Sequence, residues 1–258
     1  MRLYFKFFAM HLKSRMAYKK SFFMSILGQF MVSFTIFLWM WFLLERFETV
    51  GGYTLPECLL CSGVMLCAYS LAECFFRGFD AFSSVVRTAA FDRILLRPRG
   101  LIFQVLCEKI ELSRVGRLLQ GLGMIVWGIA ALPVSFTPYK YLVLALMILG
   151  GTLLFCALAI LRAGFCFFTL EGLEFMNVFT DGARDYGAYP IDVYGRGTLR
   201  FCTYIVPYAL FQYYPLLYLI GRSASPWYGL LPLLTPLFLI PCLLLWRLGV
   251  RKYKSAGS

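Results

Sequence analysis

Charge is what this sequence has least of. Only 15% of its 258 residues are Asp, Glu, Lys or Arg, 60% are hydrophobic, and the mean hydropathy is +0.74. Soluble domains carry about 25% charged and about 45–50% apolar residues, so a soluble core would not hide this much apolar surface. Histidine is reduced to His11, in the basic head of the chain. That argues against a Ser–His catalytic pair or a His-based zinc protease within the apolar blocks. No G-x-x-x-x-G-K-[ST] occurs, so this chain holds no P-loop for ATP, and Gly195-Arg196-Gly197 is no substitute. No G-x-S-x-G occurs either. The nine cysteines are scattered, mostly inside apolar blocks, and indicate packing rather than a disulfide framework or a metal site. Acidic residues are the scarcer sign, 13 against 25 Lys and Arg, for a net charge of +12. Such a balance often marks nucleic-acid binding. Here the cations flank apolar blocks, which is how topology signals look, and no nucleic-acid partner is expected.

What is present is a series of continuous apolar blocks. About 20 apolar residues match a hydrocarbon core of about 30 Å. Continuous runs rather than period-2 alternation select helices over a barrel. The expected fold is therefore an all-α polytopic membrane protein. Residues 1–20 mix aromatics with Arg2, Lys6, Lys13, Arg15, Lys19 and Lys20, a pattern for a helix lying in the headgroup plane of membrane lipid. This stretch is too long for a cleavable signal sequence of the usual form, so the first span is expected to remain as an anchor. Spans are expected near Ser21–Leu44, Thr54–Phe76, Leu118–Val134, Tyr141–Leu161 and Tyr228–Trp246.

Counting cations orients these spans. The first 20 residues hold six Lys and Arg, residues 77–117 eight, and the tail four, whereas Arg46 and Lys140 stand alone in the connections after the first and third spans. Both termini are therefore expected in the cytoplasm. Two further apolar blocks, Ala163–Val178 and Phe201–Ile220, remain, and parity allows only one to cross. Either Ala163–Gly187 crosses and Tyr189–Arg222 is a re-entrant pair of short helices, or Phe201–Ile220 crosses and the preceding stretch is cytoplasmic. Charge counting favours the second. Pro207 and Pro215 favour the first, since broken helices are tolerated where they are buried in protein.

Several residues are candidates for function. The loop between the second and third spans carries Phe91-Asp92-Arg93-Ile94-Leu95-Leu96-Arg97-Pro98. Apolar Ile94, Leu95 and Leu96 among charged neighbours suit a short amphipathic helix ended by Pro98, either docked in a partner's groove or lying on anionic headgroups. Glu171 and Glu174 share a helix face and would line a polar path if they lie in the membrane. Glu73, near the inner end of the second span, completes a set of carboxylates that an ion-coupled secondary carrier would use as a relay. No internal repeat supports that reading.

The segment Tyr189-Pro190-Ile191-Asp192-Val193-Tyr194, with Leu199-Arg200, Ile205-Val206-Pro207 and Tyr213-Tyr214-Pro215 after it, resembles the permeases of type-2 ABC exporters. It looks most like the branch labelled "ABC-2 family transporter protein", and Phe91–Pro98 is the second point of likeness. The resemblance extends over nearly the whole chain. It implies one transmembrane domain over residues 1–258 with six spans, an interfacial helix at 1–20, a coupling helix within cytoplasmic residues 77–117, and a re-entrant hairpin at 189–222 before the last span. It thereby supports the first of the two topologies. It also implies a non-enzymatic transport subunit in the plasma (inner) membrane. Two copies of a separate ABC ATPase would carry the ATP and magnesium, and a second related permease or a second copy of this chain would pair with it. No cofactor is expected in this chain.

Overall fold

A computed structural model describes residues 2–169 and 174–253. The chain is 83% helical and has no strand among the described residues. Helix α1 (Arg2–Met16) turns at Ala17 and Tyr18 into α2 (Lys19–Phe47). After a short loop comes α3 (Leu55–Asp80), extended by α4 (Phe82–Arg87). Thr54 starts α3 with a capping box: Glu57 Oε2 accepts from the Thr54 backbone N–H at 2.8 Å, and Pro56 occupies the first turn. The chain then folds as α5 (Ala90–Leu95) and α6 (Leu101–Glu108), and a 3₁₀ turn at Leu112–Arg114 leads into α7 (Val115–Ala131). A turn through Pro133 joins it to α8 (Pro138–Thr169).

Among the described residues four helical stretches are long and apolar enough to cross a membrane: Lys19–Phe47, Leu55–Arg87, Pro138–Thr169 and Pro226–Lys252. Helix α7, at 17 residues, reaches about 25 Å at about 1.5 Å per residue. Helix α3 is the hub, with almost every side chain from Glu57 to Cys74 buried, whereas α2 leaves Phe23, Met24, Leu27, Met31 and Trp39 exposed along its length. Glycines set the distance between α3 and α7. A Cβ on Gly63 would meet the Gly121 carbonyl at 2.8 Å, and one on Gly121 would meet Cys67 Sγ at 2.7 Å, so the two backbones approach as small residues allow in lipid.

Helix α8 departs from the expected span boundary at Leu161. It continues to Thr169, and its 32 residues run about 48 Å against a hydrocarbon core of about 30 Å. The reason is packing: Ala163, Gly164 and Cys166 are buried, and a Cβ on Gly164 would touch the backbone of Trp246 at 3.3 Å. No continuous helix therefore covers Ala163–Gly187. After the undescribed residues the chain resumes as a 3₁₀ stretch (Glu174–Phe179), α9 (Asp181–Tyr186) and a turn at Ile191–Tyr194.

That broken segment lies antiparallel to the N-terminal part of α3. Asp181 accepts from Tyr69, Gly187 lies on Met65, and Asp192 accepts from Tyr53. Gly195, at φ 93°, then starts α10 (Arg196–Tyr204), which runs back so that Phe201 stacks on Phe179 at 6.1 Å. Pro207 stands at the break before α11 (Tyr208–Phe211), and Pro215 sits in the first turn of α12 (Tyr213–Leu219), where a missing N–H costs nothing. So Phe201–Ile220 is not one helix either. From α12 the chain returns beside Tyr53, where the Arg222 guanidinium lies 4.2 Å over the Tyr53 ring. A 3₁₀ stretch at Pro226–Phe238, holding Pro232 and Pro236, continues into α13 (Leu239–Lys252).

Candidate functional site

The loop between α4 and α7 divides its residues between two faces. Ala89, at φ 54°, turns the chain into α5, and the helix ends at Leu96. Phe91 and Ile94, three apart, point inward and are 0% and 5% exposed. Arg93, Leu95, Leu96, Arg97 and Pro98 are exposed, Leu96 most of all at 85%, and Asp92 is half-buried. The expected apolar face of Ile94, Leu95 and Leu96 is thus split. Ile94 anchors the helix, while the two leucines form an exposed apolar tip, with Arg93, Arg97 and Arg99, also exposed, beside them in sequence. Helix α1 rests against the second helix of this loop. His11 Nε2 meets the Cys107 carbonyl at 3.0 Å, and Arg15 pairs with Glu111 at 2.9 Å.

Glu73 is not free at the interface. One of its oxygens lies 2.8 Å from Arg77 and 3.2 Å from Arg114, and the other 2.9 Å from Arg117. Three arginines around one buried carboxylate tie α3 to the 3₁₀ turn and to α7. Beside this cluster a cavity of about 30 Å³ is lined by Tyr69, Glu73, Arg77, Asp80, Arg162 and Asp181, with room for water. Glu174 is exposed at the start of its 3₁₀ stretch, and Glu171 lies outside the described residues, so the structure does not bring this pair together on a described surface.

The residues around the start of α3 converge. Tyr53 donates to Asp192 Oδ2 at 2.8 Å and Tyr213 to the same atom at 3.3 Å. Burial first, and then Asp192, push the Tyr53 phenol well above its ordinary pKa, which keeps it a donor. Arg222 donates to Glu57 at 2.9 Å and to the Gly52 carbonyl at 2.6 Å. Pro190, Pro207 and Pro215 are buried and Tyr189 is partly so. Gln212, wholly buried, donates to the carbonyls of Gly187 (2.6 Å) and Tyr189 (3.1 Å) and so joins α12 to the segment after α9.

Sequence reasoning did not single out Gln212, whose only signal is a lone amide in an apolar block. It also passed over Cys58 and Cys61 as scattered. They stand at Cys-x-x-Cys spacing one turn apart on α3, both free and buried, and Gln212 donates to Cys61 Sγ at 3.0 Å.

Residues 30–257 match the family described as ABC-2 family transporter protein. This chain belongs to that family. No curated protein and no solved structure matches it. As an ABC-2 family transporter protein it is a multi-pass membrane permease component of an ABC transporter, a family whose members associate with an ABC ATPase. The match takes in the loop between α4 and α7 and everything from α9 to α13, but it begins inside α2 and leaves α1 outside, a narrower extent than the resemblance suggested.

Proposed function

We propose that this protein is the membrane-spanning permease subunit of an ATP-driven exporter, which moves substrate when a separate ABC ATPase hydrolyses ATP. The observation that carries the proposal is the family match together with the inner loop. Between two spans, on the side where the cations concentrate, α5 presents exposed Leu95 and Leu96 beside exposed arginines. That is the chemistry of a knob for a partner's groove. Two ATPase copies, holding ATP and magnesium, would dock on a pair of permeases, the second being a related chain or another copy.

In this reading the chain crosses six times, with both termini in the cytoplasm of the plasma membrane. Residues 174–192 make the fifth, broken crossing and residues 194–222 a re-entrant hairpin on the outer side. The contacts of Asp181, Gly187 and Asp192 along α3, and the return of Arg222 to Tyr53, support it. Irregular backbone at membrane depth is tolerated where protein buries it, as Gln212 and the prolines are buried here. An ion-coupled carrier would need Glu73 free to exchange protons with a path, and its three arginine partners speak against that.

Purification from membranes tests the proposal: the permease should retain a soluble ABC ATPase and stimulate its hydrolysis. Transport that persists without any ATPase would end the exporter reading. For topology, Val193→Cys should react with a membrane-impermeant maleimide applied to intact cells. Reaction only after permeabilisation would return this segment to the cytoplasm.

A further inference from the structure

Phe91 is the one aromatic in the inner-loop motif, and its side chain is fully buried. Its ring packs edge-on against Phe82 (5.4 Å between centroids), Phe167 (5.2 Å) and Tyr253 (5.0 Å). Trp246 closes the cage, 4.9 Å from Phe82, 5.3 Å from Phe167 and 5.7 Å from Phe79. These rings come from α3 and α4, from α5, from the inner end of α8, and from α13 with the residue just beyond it. Helices α8 and α13 are themselves pressed together at this level: a Cβ on Gly249 would meet the Phe167 ring at 2.5 Å.

The covalent links from α5 to its flanking spans are weak levers by comparison. Toward α3 the helix is interrupted at Ala81 and again between Thr88 and Ala89, where the backbone turns left-handed. Toward α7 the chain passes through non-helical Lys109–Glu111. Packed rings, in contrast, transmit displacement because a close-packed interior barely compresses.

We propose that this aromatic cage is the joint that passes the ATPase's push from the inner loop to the inner ends of α8 and α13, with Phe91 and Trp246 as positioning residues. The loop's sequence neighbours would lead one to expect the push on the second and third spans. The packing carries it to α8 and α13 as well. Helix α13 continues as the 3₁₀ stretch Pro226–Phe238, whose start is tied to α8 by the hydrogen bond from Tyr139 to the Pro226 carbonyl at 3.0 Å. Movement of these helices therefore reaches the outer residues around Arg222. The inference rests on the exporter reading but goes beyond it, since that reading concerns the exposed leucines and not the cage.

The test uses the permease with its ATPase in proteoliposomes and reads the outer face without needing the substrate. The nine native thiols are buried, so an impermeant maleimide reports on a cysteine placed at Val193. ATP should change its labelling rate in the parent. With Phe91→Leu, or with the milder Trp246→Phe, the ATP-dependent change should shrink about fivefold. In Trp246→Phe, ATPase capture and ATP hydrolysis should stay within about twofold of the parent, because Trp246 lies on α13, outside the loop that docks. Combining the two substitutions should do little more than the stronger single one, as expected for residues acting through one contact. An ATP response undiminished in Trp246→Phe and in whichever Phe91 variant inserts would overturn the cage. A parent that captures no ATPase would instead overturn the exporter reading, so the two failures are distinguishable.

Discussion

Glu73 shows how far a residue's setting differs from its identity. A carboxylate near the inner end of a span reads from sequence as interfacial or as part of a polar path. In the fold it is 5% exposed and shared by Arg77, Arg114 and Arg117. Removing one member of a buried ion cluster costs about 3–5 kcal/mol, because the remaining charges lose their partner without regaining water. Glu73→Gln should accordingly lower the melting temperature of the detergent-solubilised protein sharply. Glu174→Gln, on an exposed side chain, should leave it within the error of the measurement. Equal effects would remove the structural role assigned to Glu73. Arg77 is one helical turn away and legible, but Arg114 and Arg117 arrive only when α7 packs on α3.

At the level of elements, the long apolar helices were legible because lipid demands them: α2, α3, α8 and the final stretch were each marked by an uninterrupted apolar run and flanking cations. The stretch from Glu174 to Leu219 was not, because its prolines and glycines set short pieces whose path depends on what buries them. The same holds for α5, whose apolar residues were visible but whose division into anchor and tip was not, since a six-residue helix has no periodicity long enough to show its faces. That division yields a prediction. Leu96→Glu, at the exposed tip, should weaken capture of the ATPase about tenfold or more, as loss of a buried apolar anchor at an interface does. Insertion into the membrane and the melting temperature should not change. Should Leu96→Glu bind the ATPase like the parent, the tip is a lipid-facing surface, and its arginines serve anionic headgroups instead.

Across the whole molecule, two exposed faces ask for different surroundings. The face of α2 with Phe23, Met24, Leu27 and Met31 is apolar and suits acyl chains. The face of α9 is not: Asp181 and Asp185 are exposed, and Asp185 pairs with neighbouring Arg184 at 2.8 Å. Its depth follows from α3. Asp181 lies against Tyr69, which is about 21 Å from Leu55 at about 1.5 Å per residue, on a helix about 39 Å long, so in the six-span reading these charges stand near the middle of the bilayer. A charge there costs at least about 2.5–3.5 kcal/mol against lipid, so this face belongs to water or to another protein subunit. In the exporter reading it fronts the space between two permeases. Asp185→Cys should then react with a hydrophilic maleimide in assembled membranes, whereas Leu27→Cys should not. If both stay unreactive in the permease alone and in the assembled transporter alike, no aqueous path runs along α9, and substrate must pass elsewhere in the chain.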